Sequence, residues 1–120
     1  MKFCWVTITV KDLDASLKFY QEVVGLTVER RFSAGPGRDI VFLGKGETKV
    51  ELISGDKNSD AQISQNISIG FEVDSLDRML EFVKERGIPV HSGPFQPGPK
   101  TRFFFVQDPN GLKVQFVENL

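Results

Sequence analysis

The stretch TITVKDLDASLKFYQEVVG, residues 7–25, determines how the rest of the chain is interpreted, because most of its pattern occurs a second time. Residues 70–87, GFEVDSLDRMLEFVKERG, repeat its order of short strand, turn, amphipathic helix and closing glycine. Matched residues such as Val10 and Val73 stand at one constant offset (73 − 10 = 63). An internal repeat of this kind indicates two copies of one structural unit.

The repeat continues beyond the helix into strands. Phe42 matches Phe105, and the strand centred on Glu51 matches the strand centred on Gln115. Alternation of apolar and polar residues predicts strands, and the helical spacing of apolar residues predicts helices. The predicted strands are 3–10, 26–32, 39–43 and 48–53 in the first copy and 67–73, 89–91, 102–106 and 112–117 in the second, with helices at 13–24 and 76–86.

The predicted fold class is therefore α+β, with two βαβββ modules in tandem. Module 1 covers residues 1–55, a polar linker covers 56–66, and module 2 covers 67–120. The segment SGPFQPGP, residues 92–99, carries three prolines and two glycines. We predict that it is a loop, since proline disfavours regular structure.

The composition limits the classes of function. A chain of 120 residues has the length of a single domain. Its net charge of −1 gives no basic field that would attract nucleic acid. Its single cysteine excludes an intramolecular disulfide and favours a reducing compartment. No apolar run is long enough to span a bilayer. We expect a cytoplasmic protein with neither a nucleic-acid nor a membrane partner.

Four segments carry a resemblance to a known family. VKDLDAS at residues 10–16, FY at 19–20, GL at 25–26 and DPNG at 108–111 resemble the vicinal oxygen chelate superfamily. That superfamily includes glyoxalase I, extradiol dioxygenases, fosfomycin-modifying enzymes and bleomycin-resistance proteins. The resemblance implies a curved mixed sheet with a concave pocket for a small-molecule ligand, often shared between the subunits of a homodimer.

The resemblance also indicates where relatives bind a metal ion. Four positions would carry the ligands, and here they read Trp5, Glu51, Ser68 and Gln115 instead of His or Gln, Glu, His and Glu. A catalytic divalent ion needs about three protein ligands, mainly imidazole or carboxylate. Only Glu51 is a strong ligand of this kind. We therefore expect vestigial ligand positions, no bound metal and no other cofactor.

Trp5 and Glu51 are the main functional candidates. Trp5 either stacks on a planar ligand or fills the cavity with its own ring. Glu51 either serves as a catalytic base or an anion that binds a ligand, or forms an ordinary ion pair with Lys49, Arg102 or a cross-strand residue. The further candidates for ligand binding are Thr7, Ser68, Gln115 and Arg102.

The sequence also predicts where a run of phenylalanines, a histidine and a cysteine lie. At least one phenylalanine of the run 103–105 should point into the concavity, because strand residues alternate between faces. His91 is the only histidine and is expected at the surface or at the pocket rim. Cys4 precedes Trp5 in the predicted strand, so we expect a buried thiol on the face that packs against the helix.

Three functions fit these observations. The first is a protein that binds a small, partly apolar molecule in the concave pocket without a metal. The second is a metal-dependent enzyme like lactoylglutathione lyase, the glyoxalase I activity. The third is a metal-free isomerase or epimerase that uses Glu51 as its base.

Overall fold

The computed structural model describes residues 1–54 and 62–120, and the chain divides into two compact units, Met1–Gln62 and Ile63–Leu120. The first unit contains β1 (Trp5–Val10), α1 (Leu13–Lys18), a π-helical turn (Phe19–Val23), β2 (Val28–Ser33), β3 (Asp39–Leu43) and β4 (Lys49–Ser54). The second contains β5 (Ser68–Glu72), α2 (Leu76–Glu85), β6 (Ser92–Gly98), β7 (Thr101–Gln107) and β8 (Lys113–Asn119).

Each unit has one four-stranded mixed sheet. The strand orders are β1-β4-β3-β2 and β5-β8-β7-β6, with the first pair of each sheet parallel and the others antiparallel. This arrangement confirms the predicted α+β class and the two βαβββ modules. Part of the predicted linker, residues 56–61, lies outside the described residues.

The two helices begin in the same way, as the repeat predicts. The Asp12 carboxylate accepts a hydrogen bond from the backbone N–H of Ala15 at 3.1 Å, and the Ser75 hydroxyl accepts one from Arg78 at 3.3 Å. Such side chains satisfy N–H groups that the first helical turn leaves unpaired. The first helix does not stay α-helical to Gly25 as predicted, since a π-helical turn follows Lys18.

The core of each unit lies between its sheet and its helix. In the first unit, α1 packs against β4; the buried residues of β1 alternate with exposed ones, and in β4 the buried Val50 and Leu52 lie on either side of Glu51 in the sequence. In the second unit, Phe104 and Phe116 are buried along with Leu76 and Val83 of α2. Because side chains alternate along a strand, the opposite face of each sheet is free of its own helix. The buried aliphatic strand residues of the first unit are Ile8, Val10, Val41, Leu43, Val50 and Leu52.

The prediction of a loop at residues 92–99 is wrong, and so is the short strand predicted at 89–91. Residues Ser92–Gly98 form β6, which stands last in the strand order of the second sheet and pairs with β7, with two register shifts. Proline is tolerated on an edge strand because the missing N–H faces away from the sheet. Gly93 has φ +97°, and a Cβ there would lie 3.1 Å from the Phe104 Cα, so this position requires glycine.

The prediction for Cys4 is also wrong. Strand β1 begins at Trp5 rather than at residue 3, and the Cys4 thiol is exposed. The alternation of the strand therefore does not extend to Cys4. Within residues 1–54 and 62–120, no helix has the length and apolar character that crossing a bilayer requires.

Candidate functional site

The side of the first sheet opposite α1 brings together the candidates of module 1. Thr7 on β1 pairs with Glu51 on β4, and Glu51 pairs with Phe42 on β3. Paired residues of neighbouring strands project to the same side of a sheet. We call this surface the aromatic face and define it by Trp5, Thr7, Arg30, Phe32, Phe42, Lys49 and Glu51.

The Glu51 carboxylate is held by a hydroxyl group. Its side chain is buried, with 8% of its surface exposed, and the Thr7 Oγ1 donates a hydrogen bond to its Oε1 at 2.5 Å. Within residues 1–54, no lysine, arginine or histidine forms an ion pair with it. Lys49, the predicted alternative partner, pairs with Glu29 instead. A buried carboxylate with one hydroxyl donor can still accept a hydrogen bond from a ligand.

Replacing Thr7 with valine tests this arrangement. The substitution removes the hydroxyl at nearly constant shape and leaves a buried carboxylate without its donor. We expect the free energy of unfolding to fall by about 1–3 kcal/mol, the usual cost of an unsatisfied buried polar group. Urea denaturation at neutral pH measures it. Thr9→Val is the matched control, because Thr9 is exposed on the same side of β1 as Thr7. An equal loss in both variants would contradict the role assigned to Thr7.

Trp5 stands at the edge of the aromatic face. Its ring centroid lies 5.3 Å from that of Phe42 at an interplanar angle of 76°, and Phe32 stacks near Phe42 at 6.4 Å. The side chain of Trp5 keeps 43% of its surface exposed. The indole is thus oriented by Phe42 on one side and is open on another, so part of the ring is available for contact with a ligand.

A cavity of about 380 Å³ opens beside Trp5. Its walls include Arg30, Phe42 and Lys49. The Arg30 guanidinium carbon lies 4.5 Å from the Phe42 centroid and 5.4 Å from that of Phe32, within the range of cation–π contact. The cavity therefore combines aromatic surface with a positively charged group.

Sequence reasoning missed Arg30 and Phe32. The predicted strand at 26–32 included both, but their side was not assigned. The pairing of β2 with β3 shifts register between Val28 and Arg30, and only the observed pairing of Arg30 with Phe42 fixes the side. Phe32 is the one apolar residue in ERRFS, residues 29–33, so alternation could not assign the two sides of this strand, and the register shift removes the regular pairing that would otherwise do so.

The second sheet places Ser68 and Gln115 on the side opposite α2. Gln115 pairs with both Gly70 and Phe105, and a Cβ on Gly70 would lie 3.1 Å from the Gln115 Oε1. In the repeat, Gly70 replaces Thr7 (70 − 7 = 63). The donor that holds Glu51 therefore has no counterpart beside Gln115. The concave pocket that the family resemblance implies stays a prediction.

The run of phenylalanines divides between the two sides of this sheet. Phe103 and Phe105 share the side of Gln115 and contact each other at 5.8 Å between centroids, whereas Phe104 is buried on the helix side. The ammonium group of Lys113 lies 5.4 Å from the Phe105 centroid. The second sheet thus repeats the combination of phenylalanine and cation found in the first.

Arg102 does not share the side of Gln115. Its guanidinium pairs with Asp77 of α2 at 3.2 Å and with Glu118 of β8 at 3.6 Å. The side chain therefore links the helix to the sheet, and this placement takes it out of the candidate site. His91 is exposed, and its Nδ1 lies 3.2 Å from the Ser92 hydroxyl.

The donors at the family's ligand positions do not fit a catalytic divalent ion. The first unit supplies the Trp5 indole, which cannot bind a metal ion, and the Glu51 carboxylate, which already accepts a hydrogen bond from the Thr7 hydroxyl. The second supplies the Ser68 hydroxyl and the Gln115 amide, both weak neutral donors. In the described part of the chain, no group of three or more His, Cys, Asp and Glu side chains could hold a metal ion. These donors therefore do not support a reaction step on a bound metal ion.

Comparison with known proteins identifies the family. A model of the Glyoxalase/Bleomycin resistance protein/Dioxygenase superfamily matches residues 2–116. The chain belongs to this superfamily. It is 34% identical to the lactoylglutathione lyase of Haemophilus influenzae, with 99% of this chain and 93% of that protein covered. The lactoylglutathione lyase of Neisseria meningitidis is 32% identical, with 98% and 91% covered.

Two solved structures show the same fold as this chain. The trypanothione-dependent glyoxalase I of Leishmania major superimposes with a TM-score of 0.83 at 24% identity, covering 98% of this chain and 86% of that one. TnmS3, an antibiotic binding protein from Streptomyces, gives a TM-score of 0.77 at 20% identity, covering 100% and 97%. At these identities the similarity shows a common fold.

Proposed function

We propose that this superfamily member binds a small, partly apolar organic molecule against the aromatic face, and that binding does not use a catalytic metal. The observation that carries the proposal is the side chain of Trp5. It occupies a position where metal-dependent relatives are expected to have a ligand, and it is oriented by Phe42 and partly exposed beside a cavity.

Size and lining support a binding site for a small molecule. Ligand pockets typically measure about 300–1,000 Å³ and combine apolar or aromatic walls with a few polar groups. The cavity of about 380 Å³ falls at the lower end of this range. Phe42 and Trp5 supply the aromatic walls, while Arg30 and Lys49 supply polar groups.

Tryptophan fluorescence tests the proposal directly, since Trp5 is the only tryptophan. Protein in buffer with a chelator is titrated with one-ring and two-ring aromatic compounds and with aliphatic compounds of equal size. We expect saturable changes in emission for aromatic compounds, with the same affinity after chelator is removed and zinc or nickel is supplied. Absence of saturable binding, or binding that requires the metal, would overturn the proposal.

A lactoylglutathione lyase activity is the second candidate. Two observations favour it: the relatives of that name at 34% and 32% identity, and the retention of a buried carboxylate at Glu51. Turnover of methylglyoxal with glutathione in the presence of zinc or nickel is the test. We expect no turnover above buffer, and turnover that a chelator abolishes would establish the lyase instead.

We also propose a homodimer. Among the strands of residues 1–54 and 62–120, each sheet ends in strands that pair on one side only, β1 and β2 in the first and β5 and β6 in the second. Such strands present unpaired N–H and C=O groups that a second chain can cover. Light scattering after size exclusion measures the mass, and a monomeric mass at high protein concentration would exclude the dimer.

A further inference from the structure

We infer that the ligand of the aromatic face is a small planar aromatic anion, such as an aromatic carboxylate, whose ring stacks on Trp5 and whose charged group binds Arg30. The inference rests on the proposed function, because it names the ligand class of the same cavity. Three observations support it: Arg30 forms no ion pair with a carboxylate of residues 1–54, the residues that line the cavity carry a net positive charge, and the cavity has the volume of a small ligand.

Arg30 is a cation without a carboxylate partner among residues 1–54. Its neighbour Arg31 pairs with Asp39 at 2.9 Å, and Lys49 pairs with Glu29. Arg30 instead lies over the rings of Phe42 and Phe32. A guanidinium that contacts aromatic rings rather than a carboxylate still has N–H groups that can donate to a ligand. Two of these donors match the two oxygens of a carboxylate.

The side chains around the cavity carry a net positive charge. Three cationic residues line it, Lys2, Arg30 and Lys49, against two carboxylates, Glu29 and Glu47. The pairing of Lys49 with Glu29 leaves two cations and one carboxylate. An anionic ligand is therefore favoured over a cationic one by the local field.

The walls and the volume restrict the rest of the ligand. Trp5 and Phe42 meet edge to face, and the exposed part of the indole offers a flat surface for a planar ring. A cavity of about 380 Å³ suits one or two rings. An aliphatic acid would gain the contact with Arg30 but would lose the stacking on Trp5.

Matched probes that differ only in charge test this inference. Calorimetric titrations compare 2-naphthoate with the neutral 2-naphthamide at low salt. We expect naphthoate to bind about tenfold more tightly, because its carboxylate can form a bidentate ion pair with the guanidinium and the neutral amide cannot. Arg30→Gln should abolish that preference, so that naphthoate loses about tenfold more affinity than naphthamide does. Arg30→Lys should keep only part of it, since an ammonium group cannot form the two parallel bonds.

Arg31→Gln is the control, because it removes the same charge one residue away on the opposite side of β2, where Arg31 pairs with Asp39. It should leave both affinities as they are. Equal binding of the two probes in the unmodified protein would overturn the inference while the proposed function stands. An equal loss of affinity for both probes in Arg30→Gln, with the preference for naphthoate retained, would also overturn it, since Arg30 would then support the face rather than bind the anion. Failure of every aromatic probe would reject the proposed function itself.

Discussion

Trp5→Ala is expected to weaken the binding of an aromatic ligand about thirtyfold while leaving the fold intact. The estimate corresponds to about 2 kcal/mol, the cost commonly found when a central tryptophan of a binding surface is truncated. The fold should tolerate the change because the side chain is 43% exposed and lies on β1, at the edge of its sheet. Calorimetric titration with 2-naphthamide measures the affinity and thermal unfolding measures the fold.

Phe3→Ala is the matched control for this prediction. Phe3 is an exposed aromatic residue two positions away, and its backbone carbonyl accepts a hydrogen bond from the Thr48 hydroxyl, a bond that alanine retains. Its removal should leave the affinity unchanged. If Trp5→Ala and Phe3→Ala bound the ligand as tightly as the unmodified protein, the ligand would not lie against Trp5.

Phe104→Ala is expected to lower the free energy of unfolding by about 3–5 kcal/mol, the usual cost of truncating a fully buried phenylalanine. The ring is completely buried on the helix side of β7 and contacts Phe116 at 5.5 Å between centroids. Small domains are stable by only about 5–15 kcal/mol, so the second unit would be close to unfolding. Urea denaturation followed by circular dichroism measures the loss.

Phe95→Ala provides the comparison within the same unit. This ring lies on β6, is 45% exposed and contacts Phe103 at 5.6 Å. We expect a loss of less than about 1 kcal/mol, as for most surface substitutions. Similar losses for both variants would contradict the placement of Phe104 in the core and of Phe95 on an exposed edge strand.

The internal repeat predicted the two-module fold because the same pattern of cap, amphipathic helix and alternating strands occurs twice in the sequence. The caps Asp12 and Ser75 stand at equivalent positions (75 − 12 = 63), and each begins a helix whose apolar stripe packs on its sheet. These are local signals, since a cap acts within one helical turn and alternation acts within one strand. They do not depend on distant residues.

The errors arose where a property depends on neighbours that the sequence does not identify. Residues 92–98 contain prolines that exclude a central strand, but nothing local shows that this segment lies at the edge of a sheet, where proline is tolerated. The side of Arg102 likewise depends on the register of β7 against β8, which pairs it with Glu118. A shift of one residue would have reversed its side.

The candidate site was predictable in part. The predicted alternation placed Trp5 and Thr7 on one side of β1. The structure adds that the Thr7 hydroxyl donates a hydrogen bond to the Glu51 carboxylate. Arg30 and its contact with Phe42 depend on an irregular register in β2, so they could not be assigned from the sequence. Arg30, which we propose binds the charged group of the ligand, could therefore be identified only from the three-dimensional structure.

The central claim is that the residues of this chain hold a ligand without holding a catalytic metal, and metal retention tests it most directly. Protein without an affinity tag is equilibrated with zinc, nickel, manganese and ferrous ions, desalted, and analysed by inductively coupled plasma mass spectrometry. The donors at Trp5, Glu51, Ser68 and Gln115 predict that retained metal stays far below one ion per chain and is unchanged by Glu51→Gln. Retention of one ion per chain that Glu51→Gln abolishes would contradict the account.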